Sequence, residues 1–345
     1  AEIRRRNFVQ PEEFPYDVGL VFQDGLPTIY DSGNYQAGLE QALEMIGYDN
    51  FREEQRAARD RGQFLGVGIG CYVEGTGIGP YEGAHISIDN LGEVHVATGV
   101  STQGQGHETS FAQIVAEALS VPVEKIHVTT GDTNRFQWGT GTYASRAMVV
   151  AGNAIGLAAE AVKEKALKVA SFVLEAAPED LELVDSSVRV KGFSSRSISL
   201  AALSIVSNPI RYSYGAQAAD LPAILPTRPG SPLPPGEEPG LDAVRYFSPQ
   251  HATFASGVHA AIIEVDIATG IIKIRKYVVM HDCGKLVNPL IVEGQIYGGV
   301  AQGIGGSFYE RMDYDDNGQL LNANYMDFLM PYATEIPHIE VDHIE

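Results

Sequence analysis

Residues 84–99 read AHISIDNLGEVHVATG, with apolar and polar side chains alternating on both sides of an Asn-Leu-Gly turn. Alternation with a period of two, broken by a tight turn, defines an antiparallel hairpin with one buried face. Strands of a doubly wound parallel sheet are buried on both faces and read as unbroken apolar runs. The segment 258–284, VHAAIIEVDIATGIIKIRKYVVMHDCG, again reads strand, turn, strand. Hairpins are expected at 181–199 and around Asn317-Gly318, and a buried strand over 64–73, FLGVGIGCYV. Between them lie stretches with helical spacing. Residues 36–61 carry Leu39, Ala42, Leu43 and Ile46. The stretch after residue 107 carries Phe111, Ile114, Val115, Ala118 and Leu119. Residues 147–174 carry Ile155, Ala158, Ala159, Val162, Ala166 and Val169. Hairpins mixed with isolated helices predict an α+β fold of mixed sheets with packed helices.

Two of the predicted helices begin in the same unusual way. The first follows STQGQGH (101–107) and the second follows GTGTYASRA (139–147). A helix start presents unpaired N–H groups and a partial positive charge, and glycine lets an anion approach the backbone. Gly104, Gln105 and Gly106 form the first candidate loop, where Gln105 can both donate and accept. Thr142, Tyr143, Ala144, Ser145, Arg146 and Ala147 form the second, where Arg146 offers a charge-assisted fork. Each loop alone also reads as an ordinary turn, with Ser145 as an N-cap and Arg146 exposed. A third glycine-rich stretch begins at Asp282-Cys283-Gly284-Lys285 and runs into EGQIYGGVAQGIGGSFYER (293–311). Glycines inside a helix cost about 1 kcal/mol each against alanine. Gly298, Gly299, Gly303, Gly305 and Gly306 are therefore expected to face something packed closely, a backbone or a ligand. Gln295 is a candidate third contact.

The remaining composition excludes more than it selects. A formal charge of −20 argues against nucleic acid as a partner. The apolar runs are too short to span a bilayer, and residues 1–20 lack the apolar core of a signal peptide. Cys71 and Cys283 form no CxxC pair, which argues against a protein-held zinc or iron–sulfur site. Two buried thiols in a reducing cytoplasm are the expectation, with a disulfide the alternative. GTGIGP (75–80) opens no helix and is no dinucleotide fingerprint. DYDDNG (313–318) lacks the glutamate a calcium loop needs, because Asn324 stands there. HETSF lacks the second histidine of a zinc helix. Residues 221–240, rich in proline and glycine, read as a loop. The first residues look like the end of a helix and the last like an unfinished strand, so a fragment or one chain of a split protein is expected.

Six segments in order, RRRNF, YDSGNY, GQGHET, GTYASRA, HDCGKLVNPLIVEGQIYGGVAQGIG and YMDFLMPYATEIP, span the whole sequence. Together they resemble the molybdenum-binding large subunit of the xanthine dehydrogenase and aldehyde oxidase family, in its carbon monoxide dehydrogenase-like branch. The resemblance implies that residues 1–62 close a first molybdenum-binding domain with its connecting helix, and that 63–345 form the second. It implies a molybdenum–molybdopterin cofactor, as the cytosine dinucleotide. The pterin, not the protein, holds the metal. Gly104, Gln105, Gly106, residues 142–147, Cys283 and Gln295 then fall at cofactor-gripping positions, with Tyr143 and Ala144 on the substrate side. The implied reaction hydroxylates a carbon centre (an aldehyde, an N-heterocycle or a CO-like substrate) with oxygen from water. Electrons leave through [2Fe-2S] clusters to FAD on partner subunits, in a cytoplasmic dimer of heteromers. The family's catalytic glutamate lies in a GVGE segment absent from these residues, so no catalytic residue is assigned. Many carbon monoxide-type chains carry Gly-Ser-Arg-Ser where Ala-Ser-Arg-Ala stands here, so carbon monoxide as substrate is not supported. The chain is expected to be inactive without its partners. The alternative is a scaffold or assembly segment with an empty cradle.

Overall fold

The computed structural model describes residues 1–22, 25–208 and 233–344. In chain order it contains α1 (Glu2–Asn7), β1 (Tyr16–Val21), β2 (Pro27–Tyr30), α2 (Tyr35–Ile46), α3 (Phe51–Asp60), β3 (Phe64–Thr76), β4 (Glu82–Ile88) and β5 (Val94–Thr98). Then come α4 (His107–Leu119), β6 (Ile126–Thr130), a π-helical turn (Ala147–Gly152), α5 (Asn153–Leu174), β7 (Leu181–Val184), β8 (Ser187–Val190), β9 (Phe193–Ser199) and α6 (Leu200–Ser207). The chain continues through β10 (Asp242–Phe247), β11 (Thr253–Val265), β12 (Ile272–Asp282), α7 (Pro289–Phe308) and β13 (Ile339–His343). The α+β architecture predicted from the hairpins is the one observed.

Two compact units divide the chain: residues 1–75 with 253–345, and residues 76–252. Strand β3 does not pair with the strand that follows it. It lies beside β11 in the sheet β13-β12-β11-β3, so the first unit is closed only when the chain returns at residue 253.

In the first unit β11 and β12 pair antiparallel from Ser256↔Asp282 to Val265↔Ile272, with a bulge after Ile262. Strand β12 alternates between two cores. Val278 and Met280 join Leu39, Leu43 and Ile46 of α2, whereas Val279 joins Val300 and Ile304 of α7. The helix expected over 36–61 is two helices. Gly47 ends α2 in the left-handed conformation (φ +75°), and Asn50 precedes α3. A glycine at that position is the usual helix stop. The hairpin expected around Asn317-Gly318 reduces to a turn with one isolated bridge, Tyr314↔Leu320, because the Asp315 carboxylate takes the amides of Asn317 and Gln319.

The second unit is built on the sheet β10-β4-β5-β6, covered by α4 and α5. The predicted hairpin over 84–99 is β4 paired with β5, in register Ala84↔Thr98 to Ile88↔Val94. All six residues of the predicted α5 stripe are fully buried. The hairpin expected at 181–199 is a three-stranded sheet, β7-β8-β9. Of the proline-rich stretch 221–240, residues 221–232 lie outside the described residues. Among the described residues no helix is long and apolar enough to cross a membrane.

Candidate functional site

Both predicted glycine loops belong to the second unit, and the structure brings them together. Gly99, at the end of β5, and Gly139 lie backbone against backbone. A Cβ on Gly99 would stand 1.8 Å from the Trp138 carbonyl oxygen, and one on Gly139 would stand 2.2 Å from the Gly99 oxygen. No side chain fits there, so glycine is required on both strands of the crossing. Further out, Gln103 Nε2 reaches the Thr142 carbonyl at 3.5 Å.

The first loop bends through Gly104 (φ +104°) and Gly106 (φ +74°), and Gly106 is the N-cap of α4. A glycine cap offers no side-chain oxygen, so the first amides of α4 have no side-chain acceptor there. Gln105 is bonded to Gln103 in both directions. Its Oε1 accepts the Gln103 amide at 2.6 Å, and its Nε2 donates to Gln103 Oε1 at 3.1 Å. His107 opens α4 buried against Phe111, ring on ring at 5.1 Å, and its Nδ1 has no partner among the described residues. Burial holds its pKa below the ordinary histidine value.

The second loop also enters the positive-φ region, and at residues other than glycine. Ala144 (φ +48°) and Ser145 (φ +51°) are consecutive residues in a region that costs an ordinary residue about 1–2 kcal/mol. Such strain persists only where the surroundings over-determine it. Here they do so through Arg146, which is fully buried. Its Nε donates to the Ile78 carbonyl at 2.8 Å and its Nη2 to the Pro80 carbonyl at 2.6 Å. Its Nη1 donates to Glu82 Oε1 at 2.5 Å and to the Gly141 carbonyl at 2.9 Å. Tyr143 covers the guanidinium, 5.2 Å from its ring centroid. Glu82 is equally buried, and its Oε1 also accepts the Thr140 amide and hydroxyl. The ordinary-turn alternative, with Arg146 exposed, is corrected: the side chain is fully buried, four of its N–H bonds go to the protein, and its fork shapes the loop from within. Ser145 is no N-cap either. Ala147 begins a π-helical turn, a feature frequent at functional sites.

This arrangement sorts the polar backbone of the second loop. The carbonyls of Gly141, Thr142 and Tyr143 accept from Arg146 Nη1, Gln103 Nε2 and the Arg146 amide. Among the described residues the amides of Thr142, Tyr143 and Ala144 donate to no carbonyl. Ala144 and Ser145 are exposed, and Thr142 Oγ1 is buried with no partner among the described residues.

Cys283 and Gln295 belong to the other unit. Cys283 follows β12 in a turn where Asp282 Oδ1 accepts the Gly284 amide at 3.0 Å. Neither cysteine forms a disulfide. Cys71 is half-buried and Cys283 is exposed, because it lies past the strand in a turn; the expectation of two buried thiols is corrected. Asn288 caps α7 and Pro289 opens it, leaving Gln295 exposed on its second turn. Of the expected glycine contacts, only Gly305 is crowded, by Glu310 and Pro331. Gly298, Gly299, Gly303 and Gly306 meet nothing within 4 Å. The described residues hold no group of three or more His, Cys, Asp or Glu side chains fit for a metal ion.

The fold and the paired loops define an α+β domain with a backbone cradle suited to an anionic ligand. Residues 41–337 match the molybdopterin cofactor-binding domain family, and the chain belongs to that family. It is 35% identical to the carbon monoxide dehydrogenase large chain of Afipia carboxidovorans over 99% of its own length. It is 34% identical to the nicotine 6-hydroxylase large subunit of Paenarthrobacter nicotinovorans over its full length. Among solved structures, quinoline 2-oxidoreductase from Pseudomonas putida 86 superposes with a TM-score of 0.84 at 35% identity, over 100% of this chain and 42% of that one. The chain spans 41% and 40% of the length of the two curated relatives.

Proposed function

We propose that the two loops of residues 101–107 and 139–147 grip the anionic tail of a molybdenum–molybdopterin cofactor, in the cytosine dinucleotide form. The chain would act within the large subunit of an enzyme that hydroxylates a carbon centre with oxygen from water. One observation carries the reading: the two loops lie side by side, and in the second the amides of Thr142, Tyr143 and Ala144 have no carbonyl partner among the described residues while the carbonyls of Gly141, Thr142 and Tyr143 are all engaged. The orphaned Thr142 Oγ1 and His107 Nδ1 fit the same purpose, since a buried polar atom without a partner costs about 1–3 kcal/mol until something bonds to it.

When bound, the molybdenum centre supplies the redox chemistry, and the protein binds and orients it. Gly104 and Gly106 let phosphate oxygens approach the first amides of α4, where the helix dipole favours negative charge. Gln105 exchanges its bonds to Gln103 for bonds to the ligand, a low-cost swap because the pair lies at the surface. Thr142 donates its hydroxyl, and the amides of Tyr143 and Ala144 donate to the group they bind. Tyr143 and Ala144 flank the substrate side. Gln295 and Cys283 carry the same proposal on their own unit.

Iron–sulfur and FAD chains complete the electron path, in a cytoplasmic dimer of heteromers. Relatives named as a large chain, a large subunit and a dehydrogenase complex subunit support the presence of partner chains. The test is molybdenum and pterin analysis of the chain isolated with the remaining parts of its enzyme. Gln105→Ala should lower cofactor content more than it lowers the melting temperature. No molybdenum, and no pterin fluorescence after oxidation, would reject the reading in favour of a scaffold.

A further inference from the structure

We infer that Arg146 and Glu82 are the positioning pair of the cradle, resting on the function proposed above: they touch no ligand, but they set the direction of the amides that do. The argument begins with cost. A fully buried ion pair is expensive to desolvate, and an apolar pair of the same volume is often as stable. The core of this unit has no need of charge at that point. Strand β4 otherwise turns Ala84, Ile86 and Ile88 to the same buried face, which is a plain hydrophobic pattern.

What the pair does, and an apolar pair could not, is hold three pieces of backbone at once. The guanidinium binds the carbonyls of Ile78 and Pro80 on one side and Gly141 on the other, while Glu82 binds Thr140 through both its amide and its hydroxyl. The loop is thus tied at residues 140, 141 and 146, and the four residues 142–145 have to close the gap. They do so only by taking Ala144 and Ser145 into the left-handed region. Successive N–H groups in such a turn make an anion-binding concavity. Tyr143 locks the arrangement from outside. A Cβ on Gly79 would stand 2.9 Å from the Tyr143 hydroxyl oxygen and 3.5 Å from Arg146 Nε, so Gly79 leaves the room the lock occupies. Glu82 Oε2 has no partner among the described residues, so half of the carboxylate is unused. The pair is tuned to backbone geometry rather than to its own best stability.

Two variants separate positioning from plain stability, both in the chain isolated with the rest of its enzyme. Arg146→Lys keeps the charge beside Glu82 but cannot reach the carbonyls of residues 78, 80 and 141 together. Glu82→Gln keeps the shape and one acceptor. The readouts are molybdenum per protein, the rate at which bound cofactor is lost on dilution, and the melting temperature of the cofactor-free protein. Arg146→Lys should lower occupancy and speed loss on the order of tenfold, the scale seen when a group supporting a ligand-binding residue is removed. Glu82→Gln should lie between it and the parent. Both variants also lower the cofactor-free melting temperature, Glu82→Gln the more because it strands a buried guanidinium, so their order in stability is the reverse of their order in occupancy. Unchanged occupancy and loss rate in both variants would overturn the inference. So would a melting-temperature fall that tracks the occupancy fall, because the pair would then serve the core and not the cradle. A parent protein with no molybdenum would instead reject the underlying function.

Discussion

The two loops both carry residues at positive φ, by opposite means. The first uses Gly104 and Gly106, for which positive φ costs almost nothing, and it needs only a surface pair of glutamines to finish it. The second places Ala144 and Ser145 in the same region and holds them with a buried arginine, a buried glutamate and five bonds to backbone groups. Glycine makes a conformation permissible; a buried network makes it obligatory. The first loop can adapt to what it binds, as Gln105 would when it releases Gln103. The second is set before anything arrives, and pre-organised donors are the ones that bind without a reordering cost.

The difference can be broken most severely at its anchor. Arg146→Met leaves Glu82 buried with no cation, and should cost about 3–5 kcal/mol, enough to lower the melting temperature of the second unit far more than Gln105→Ala does. Next is the crossing that holds the loops together. Gly99→Ala drives a methyl group into the Trp138 carbonyl and should cost about 1–3 kcal/mol through backbone displacement, read by chemical denaturation. Smaller and opposite in sign are two exchanges of glycine and alanine. Gly104→Ala has open space around it, so its cost is pure backbone strain, about 1–2 kcal/mol. Ala144→Gly relieves that same strain and should be neutral or stabilising by up to about 1 kcal/mol, while slackening the loop. Two destabilising outcomes of equal size would show that the loops are not held differently.

The smallest effect concerns pH. Burial holds the His107 pKa below its unfolded value. The unfolded chain therefore takes up the proton first, and stability present above about pH 6.5 is lost as the pH falls. Thermal melts at pH 7 and pH 5.5 should show a larger acid loss for the parent than for His107→Phe. The buried His259 and His281 of the other unit shift in the same direction and contribute equally to both proteins.

Much of this was legible from local pattern. Alternation placed β4, β5, β11 and β12, and the α5 stripe was read residue by residue, because each depends on neighbours within a few positions. The glycine loops stood out for the same reason. What local pattern could not supply was pairing at a distance. The pairing of β11 with β3 joins stretches far apart in sequence, and the edge strand β10 (DAVRYF) is recognisable only beside β4. Sequence left Arg146 open between a ligand fork and an exposed turn residue, because its partner lies 64 residues away. A signal was nevertheless present. In EGAHISI, Glu82 falls in phase with Ala84, Ile86 and Ile88, and a carboxylate on a buried face demands a buried cation. The stretch GTGIGP, set aside as a failed nucleotide motif, supplies the carbonyls of Ile78 and Pro80 that complete the lock.

The claim that backbone amides at both loops clasp one anionic ligand is tested most directly by hydrogen–deuterium exchange on the cofactor-loaded enzyme and on the same enzyme stripped of cofactor. Loading should slow exchange at residues 104–109 and 142–146 together, more at the adaptable first loop than at the pre-set second, and leave β7 to β9 unchanged. Equal exchange at both loops in the two states would contradict it.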